Sequence, residues 1–404
     1  MKSAKKRVLL ALLPTVLIIA PLCLGMVLGY GFANKEIRED FRAVAKSETR
    51  LAMLKPAEKV QFAKAYDDPQ SAVTAMDDYS YNVATVMAPF VGITPDPGQH
   101  HNAYINSLQC RSDKEIALPK PPGTFRVFII GGSAAFGSGA SSQDKTISGY
   151  LSSILEKELS AETKLNYEVF TLATPSWAST QERIVIENRV LDLQPDLVIS
   201  FSGNNDVHWG MLGRNVLWFR TYQEEFNWHV LNWAYEEFRK QPMTDVVPVE
   251  SHPVAPSLVA ERLERNVRMS AFALSVTNVR YVFCLQPTLA MTKKPLDPAE
   301  QHNLFNLSTI DHTITGSNYF AQCYSLIDLQ LSTIKTDNFF YVNLSDVFDS
   351  IKTPDRLFLD CYHFGDKGNA IIARCLYDRL KKLLASSQLS SIGAGFAEAG
   401  TAGK

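Results

Sequence analysis

Two short stretches of the chain carry residue types that together could transfer an acyl group. Ser133 follows Gly131 and Gly132, and Asp360 and His363 stand three positions apart near the C-terminal end. A serine hydroxyl is a weak nucleophile at neutral pH until a base takes its proton, and an imidazole suits that role. A carboxylate within reach of the second ring nitrogen would fix the tautomer of that base. These residues are therefore candidates for a nucleophile, a base and its orienting acid.

Acyl transfer also needs hydrogen-bond donors aimed at the oxyanion that forms on the carbonyl group. The Asn205 side-chain amide in "SGNND" (202–206) is one candidate, and the backbone N–H groups of Ser133 and of a residue in 173–177 are others. Each feature also has an ordinary interpretation. Gly-Gly-Ser fits a tight turn or a phosphate-binding loop, "GNND" fits an Asx-rich turn, and Asp-x-x-His arises by chance. A nucleotide site is disfavoured because 131–139 lacks the Lys-Ser/Thr ending of a P-loop.

The candidate residues lie at the ends of predicted strands in an alternating strand–helix pattern. Strands are predicted at 125–130, 167–172, 196–202, 280–285 and 339–344, and helices at 146–160, 179–193, 317–335 and about 366–384. Continuous apolar strands that alternate with helices predict a parallel sheet covered on both faces. Because the carboxyl ends of parallel strands share one edge, residues far apart in sequence can converge there.

The N-terminal segment has the composition of a membrane anchor. A basic cluster at residues 2–7 precedes an uncharged stretch, 8–33, which at about 1.5 Å per residue can cross a hydrocarbon core of roughly 30 Å. We interpret 1–33 as an uncleaved signal anchor, with a removed signal peptide as the alternative. Lysine and arginine counts on the two sides are nearly equal, but the short basic N-terminus resembles a cytoplasmic n-region. The bulk of the chain is then expected outside the cytoplasm, on a bacterial inner membrane.

Composition excludes several other functions. The net charge of −2 favours no nucleic-acid partner, and the six cysteines and eight histidines show no spacing of metal ligands. The sequence therefore predicts no metal and no cofactor.

The remaining segments complete the predicted domain organisation. Residues 34–119 are expected to form a juxtamembrane helical stalk and an irregular lead-in, 120–385 the main domain, and 386–404 a disordered Ser/Gly/Ala-rich tail. An aromatic-rich insertion at 207–256 holds four of the five tryptophans. These aromatics fit helix packing, or a wall over the site that contacts a sugar ring or an acyl chain. Trp177 and Trp209 are the candidates for substrate contact.

In its motifs the chain resembles the SGNH hydrolases, the GDSL esterase and lipase superfamily. The matching blocks are Gly131–Ser133, Gly203–Asp206 and Asp360–His363, and the resemblance extends over about 105–385, including "NSLQCR" (106–111). It implies a flavodoxin-like sheet of the SGNH type. It also implies Ser133 as nucleophile, His363 as base, Asp360 as its orienter, and an oxyanion hole formed by Ser133, Ser176 and Asn205.

Two positions depart from the family pattern. Gly132 stands where the first block usually has an aspartate, and Ser176 stands where the second block has a glycine. The family glycine acts through its backbone N–H, so a serine keeps the donor but can require an unusual backbone angle.

Two functions are compatible with these features. The first is a serine esterase or O-acyltransferase (for example an O-acetyltransferase) that acts through an acyl-enzyme outside the cytoplasm on an acyl ester, such as an acylated polysaccharide. The second is a catalytically weak SGNH-like domain that serves as a binding or scaffold subunit with envelope protein partners. The complete Ser–Asn–Asp–His set favours the enzyme.

Overall fold

The computed structural model describes residue 51 and residues 54–214, 222–243, 252–307 and 316–385. All of them lie in one compact unit. The predicted anchor at 1–33 and the predicted tail at 386–404 lie outside these ranges, as do parts of the stalk and of the insertion. Within these ranges, none of the helices combines the length and the apolar character that crossing a membrane requires.

Five parallel strands form the central sheet. They are β5 (Thr124–Gly131), β6 (Asn166–Ala173), β7 (Leu197–Ser202), β8 (Arg280–Leu285) and β9 (Phe339–Asn343). Their order across the sheet is β6-β5-β7-β8-β9, with every neighbouring pair parallel. Counted along the chain this is the order 2-1-3-4-5 of flavodoxin-like folds. The predicted parallel, flavodoxin-like α/β sheet is therefore confirmed.

Helices cover both faces of this sheet, as its apolar strands require. One face packs against α6 (Ser179–Val185), α9 (Pro256–Ser275) and α11 (Gly316–Ser332), and the other against α4 (Ile147–Glu158) and α12 (Asp366–Ala385). Side chains alternate along β5, so that Phe128 and Ile130 enter the first core while Val127 and Ile129 enter the second. The α/β/α layering follows from this alternation.

The strand order reverses at β5, and this places the candidate residues. The chain leaves β5 toward β6 on one side and returns to β7 on the other, so the loops after β5 and β7 diverge at a shared edge. Ligands in open α/β sheets bind in such crevices. Ser133 begins the short helix α3 (Ser133–Phe136) directly after β5, and Asn205 lies at the start of α7 (Asn204–Met211) after β7.

The described part of the lead-in has secondary structure of its own. It contains helices α1 (Pro56–Ala63) and α2 (Pro69–Ala75) and two antiparallel hairpins, which pair β1 (Thr85–Ala88) with β2 (Gly92–Pro95) and β3 (Gly98–His100) with β4 (Ala103–Ile105). The Tyr66 hydroxyl donates to the Gly139 carbonyl at 2.6 Å, and the Lys367 N–H donates to the Ala65 carbonyl at 3.2 Å. The lead-in therefore touches both the loop after Ser133 and the helix that follows His363.

The aromatic-rich insertion is partly helical in the described ranges. Helix α8 (Tyr222–Arg239) follows α7, and five of its large apolar side chains are exposed, namely Val230, Leu231, Trp233, Tyr235 and Phe238. The sequence interpretation missed α9, whose buried face contributes to the core. The remaining helices are α5 (Ser160–Thr163) and α10 (Pro298–Leu307). Five of the six cysteines lie in the described ranges, and no two of these five form a disulfide with each other.

Candidate active site

The turn after β5 presents Ser133 at the sheet edge. Gly131 has φ +155°, and a Cβ on it would lie 2.4 Å from the Phe201 carbonyl oxygen of the neighbouring strand β7. Only glycine allows the two backbones to approach this closely. Ser133 is half-buried, and its backbone N–H has no protein acceptor among the described residues. The turn thus leaves both the hydroxyl and the N–H of Ser133 available.

Ser133, His363 and Asp360 form one continuous hydrogen-bonded chain. Ser133 Oγ lies 2.6 Å from His363 Nε2, and His363 Nδ1 lies 2.9 and 2.8 Å from the two carboxylate oxygens of Asp360. The carboxylate orients the ring so that Nδ1 donates and Nε2 accepts from the serine hydroxyl. The structure therefore brings the three predicted residues together, 230 positions apart in sequence between Ser133 and His363.

A closed loop holds Asp360 and His363 in this arrangement. Phe358 and Phe364 form an antiparallel bridge at its base. Inside the loop, Asp360 Oδ1 accepts the backbone N–H groups of Tyr362 at 2.8 Å and His363 at 3.0 Å. Burial by itself would raise the pKa of Asp360. The charge of His363 and the hydrogen bonds from the His363 side chain, the Tyr81 hydroxyl and the Tyr362 backbone outweigh burial and hold that pKa well below its usual value. Asp360 is therefore a carboxylate at any working pH.

Asn205 reaches the same place from the loop after β7. Gly203, with φ +101°, ends the strand, and Asn205 follows at the start of α7. Asn205 Nδ2 donates to the Trp177 carbonyl at 2.6 Å, and its Oδ1 accepts from Asn204 Nδ2 at 3.3 Å. These partners fix the amide orientation, and the second hydrogen on Nδ2 remains for another acceptor. A Cβ on Gly132 would lie 2.2 Å from Nδ2, so the Asn205 amide occupies the space that a side chain at position 132 would enter.

Ser176 has the backbone angle of a glycine. Its φ is +76°, in the left-handed region that L residues rarely adopt. The Trp209 indole N–H donates to the Ser176 carbonyl at 3.3 Å, and the adjacent Trp177 N–H donates to the Thr174 carbonyl at 3.1 Å. The Ser176 N–H has no acceptor in the part of the chain that the structure describes. Ser176 thus adopts a backbone angle that glycine reaches easily, although the residue is serine.

The two predicted substrate-binding tryptophans are placed differently from the prediction. Trp177 is fully buried and its indole N–H donates to the Ile93 carbonyl at 3.2 Å, while Trp209 is 2% exposed. Neither indole has a ring face open to a ligand, because each is packed inside the protein. This corrects the predicted role: Trp209 supports the Ser176 loop, and Trp177 contributes its backbone carbonyl to hold Asn205.

Three residues around the site were not assigned a role by sequence reasoning. Tyr81 from the lead-in contacts Asp360 and His363 through its hydroxyl. Arg111 is buried, and its Nη1 donates to the Phe136 and Gly137 carbonyls at 3.0 and 2.8 Å, which caps the turn that Ser133 begins. Asp206 accepts the Ser179 N–H at 3.0 Å at the start of α6. Arg111 and Asp206 belong to the matching blocks "NSLQCR" and Gly203–Asp206, which could have indicated a role for them. No motif in the sequence indicated a role for Tyr81.

A second histidine, His208, lies close to His363. His208 Nδ1 lies 3.2 Å from the Tyr362 hydroxyl, and burial lowers the pKa of His208 to about 4. Its ring is therefore neutral at neutral pH. No group of three or more potential metal ligands occurs among the described residues.

Comparison with known proteins gave matches among solved structures alone. No family model and no curated protein matches this chain. The acetyl xylan esterase AlAXEase is 14% identical with a TM-score of 0.36, over 63% of this chain and all of that one. TesA is 12% identical (TM-score 0.37, 64% and 99% covered), and a GDSL-like lipase from Bacteroides thetaiotaomicron is 12% identical (TM-score 0.35, 66% and 92% covered). Likeness at this level carries no argument about this chain, whose activity has to be inferred from its own site.

Proposed function

We propose that this protein is a serine ester hydrolase of the SGNH type. One observation carries the proposal: the Ser133 hydroxyl is 2.6 Å from His363 Nε2, and Asp360 holds the opposite ring nitrogen. This is the arrangement that activates a serine toward an acyl carbon. Three hydrogen-bond donors lie on the loops around it, on Ser133, Ser176 and Asn205.

The geometry supports a two-step acyl transfer. As Ser133 Oγ bonds to the ester carbonyl carbon, its proton passes to His363 Nε2, and Asp360 stabilises the imidazolium. The carbonyl oxygen gains negative charge, which the N–H groups of Ser133 and Ser176 and the second amide hydrogen of Asn205 would bind. His363 then gives the proton to the leaving alkoxide, and the acyl group stays on Ser133. In the second step, water or another acceptor hydroxyl gives its proton to His363 and attacks the acyl carbon. The bond to Ser133 then breaks, His363 returns the proton to Ser133 Oγ, and the free enzyme is released.

Labelling with a fluorophosphonate, which reacts with activated serines, tests this function. Wild-type protein is expected to label, and Ser133→Ala is expected to abolish both labelling and hydrolysis of a short acyl ester. Ser138→Ala is the matched control. Ser138 lies in the same loop, and its buried hydroxyl has no hydrogen-bond partner among the described residues. Equal labelling of wild type and Ser133→Ala would rule out Ser133 as the nucleophile.

The finer part of the proposal concerns the acceptor and the substrate. The acyl-enzyme can transfer its acyl group to water or to a sugar hydroxyl, so hydrolysis and O-acyl transfer share the same first step. We propose an acylated glycan as the natural ester. Mass spectrometry of a glycan acceptor incubated with the enzyme and an acyl donor separates the two outcomes, because only the transferase adds acyl mass to the glycan.

The proposed location rests on the sequence of residues 1–33 alone. That segment would anchor the chain in the membrane and leave the site outside the cytoplasm. Protease added to spheroplasts, which expose the periplasmic face of the inner membrane, is expected to digest the main domain. Full protection of the main domain would contradict this location.

The scaffold alternative rested on the serine in place of the family glycine and on the aromatic-rich insertion 207–256. At Ser176 the φ of +76° lies in the region that glycine reaches easily, and the Ser176 N–H has no acceptor among the described residues, so it is available as a donor. No described contact favours the scaffold function over the enzyme.

A further inference from the structure

The Tyr81 hydroxyl lies against the Asp360–His363 pair. Tyr81 is 5% exposed, and its O–H donates to Asp360 Oδ2 while the same oxygen atom lies beside His363 Nδ1. Its ring meets the imidazole edge to face, with centroids 4.7 Å apart. A buried tyrosine hydroxyl needs a partner, and here that partner is the catalytic carboxylate.

The two oxygens of Asp360 are bound from different sides. Oδ1 is held within its own loop by the backbone N–H groups of Tyr362 and His363. Oδ2 accepts from Tyr81 and shares the imidazole Nδ1–H. Tyr81 is thus the contact that fixes the carboxylate from outside the loop, through Oδ2, while both oxygens lie within hydrogen-bond distance of the imidazole Nδ1.

The other charged and titratable neighbours of this pair do not replace Tyr81. His208 faces Asp360 and His363 from α7, and burial keeps its imidazole neutral near pH 7. Arg356 is directed at the backbone of the same loop, where its Nε donates to the Phe358 carbonyl at 3.1 Å and its Nη2 to the Leu359 carbonyl at 3.2 Å. The carboxylate therefore receives a neutral O–H donor rather than a second cation.

The lead-in backbone holds Tyr81 rigidly in this position. The preceding residue, Ser80, donates its N–H to Asn102 Oδ1 at 2.7 Å and its hydroxyl to the His100 carbonyl at 2.9 Å. The Ser80 carbonyl accepts the Gly139 N–H at 2.9 Å, which ties the segment to the loop after Ser133. Tyr81 packs in a cluster with Tyr66 and Leu359, and Leu359 belongs to the Asp360 loop. One segment of the lead-in thus joins both catalytic loops.

We propose that Tyr81 is a positioning residue of the catalytic site, which holds the Asp360 carboxylate in line with His363 and moderates its negative charge. The proposal rests on the ester hydrolase function proposed above. On this proposal, the lead-in contributes a residue to the catalytic site.

Tyr81→Phe is the test, because it removes the hydroxyl and retains the ring that packs on His363. Without this donor, Asp360 is less firmly oriented, and we expect kcat to fall about tenfold, the equivalent of one hydrogen bond to a charged group. The full carboxylate charge then stabilises the imidazolium, so the acid limb of the kcat/KM profile should move to higher pH by about 0.5–1 unit. Tyr167→Phe is the control, since Tyr167 donates to the Leu384 carbonyl at 2.9 Å through an equally buried hydroxyl away from the site.

A double-mutant cycle separates positioning from a merely structural role. If Tyr81 acts through the carboxylate, Tyr81→Phe should change the residual labelling rate far less in an Asp360→Asn background than in wild type. An equal change in both backgrounds, or an acid limb that matches wild type, would overturn the proposal.

Two readouts keep this proposal distinct from the proposed function. If wild-type protein fails to label at Ser133, the hydrolase function fails whatever Tyr81→Phe does. The Nδ1 proton of His363 can be followed by NMR without any turnover, and its resonance is expected to move downfield in Tyr81→Phe as Asp360 becomes a stronger acceptor. An unchanged resonance in a folded Tyr81→Phe would count against Tyr81 even in an active enzyme.

Discussion

At Ser176 the residue type departs from the glycine that the family resemblance implies, and the proposed oxyanion donor is retained. That proposed donor is a backbone N–H, which every residue except proline carries. What glycine ordinarily adds is easy access to positive φ, and Ser176 adopts φ +76° all the same. The Trp209 hydrogen bond to its carbonyl contributes to holding this angle. The local strain is therefore balanced by contacts around the loop.

Ser176→Gly tests this account of the loop. A serine in the left-handed region costs roughly 1–2 kcal/mol, while glycine adds about 0.4–1 kcal/mol of unfolded-state entropy. We expect the free energy of unfolding to stay unchanged or to rise by up to about 1 kcal/mol, with the labelling rate of Ser133 retained.

Urea unfolding measures the stability part of this prediction, with Ser153→Gly inside helix α4 as control. There the φ is ordinary, so glycine should destabilise by about 0.5 kcal/mol. A loss of Ser133 labelling greater than tenfold in Ser176→Gly would mean that the serine hydroxyl itself takes part in the reaction.

At the scale of elements, the site depends on three loops that interlock at the carboxyl edge of the sheet, those after β5, β6 and β7. The turn from β5 to α3 has no side chain at Gly132, and the Asn205 amide from the start of α7 fills that space. The Asn205 amide in turn holds the Trp177 carbonyl of the loop after β6. Three loops are therefore mutually positioned through a single amide, and a change in one should be felt in the others.

Gly132→Ala should disrupt this arrangement. Its Cβ would lie 2.2 Å from Asn205 Nδ2 and 3.0 Å from the Trp177 carbonyl oxygen, so the amide has to move. We expect a loss of about 1–3 kcal/mol in stability from overpacking and a fall of ~10²–10³ in turnover from the displaced donor.

The Gly132→Ala, Asn205→Ala double variant shows whether the amide is the cause. Removing the Asn205 side chain relieves the clash, so the stability cost of Gly132→Ala should shrink in that background while turnover stays low. Additive stability losses, measured by urea unfolding of the four proteins, would show that the two loops do not interlock through Asn205.

At the scale of the whole molecule, the sequence predicted what local patterns and motifs encode. Continuous apolar strands between helices specified the sheet, and residues at strand ends converge because parallel strands share an edge. Tyr81 escaped prediction because it lies in a segment without periodicity and acts across 279 positions. Trp177 was misjudged because composition does not reveal whether an aromatic side chain faces solvent or the core. Helix α9 was not predicted, because only the aromatic residues of the neighbouring insertion were considered and not the periodicity of the segment that follows it.

The stability of the whole fold should depend on pH through the buried carboxyl of Glu182. Burial raises the pKa of Glu182 to about 8 against 4.5 in the unfolded chain, and the hydrogen bond from Ser202 offsets this shift in part. Between these values the folded state binds the extra proton, so the free energy of unfolding falls as pH rises. His208 has the opposite sign, and most of its contribution is made below pH 7. Asp366, with a pKa of about 6, has the same sign as Glu182, and its contribution is largely complete at pH 6.5. From pH 6.5 to 8 we expect the free energy of unfolding of the wild type to fall by about 1–2 kcal/mol, because one extra bound proton changes it by about 1.36 kcal/mol per pH unit.

Glu182→Gln removes this titration and keeps an acceptor for Ser202, so the loss between pH 6.5 and 8 should largely disappear. Urea unfolding at three pH values in this window measures the slope. Glu187→Gln, which breaks the 3.0 Å surface pair with Arg183 on the same stretch of helix, should keep the wild-type slope. A wild-type slope in Glu182→Gln would mean that this carboxyl is already ionised in the fold and that its charge is compensated inside the core.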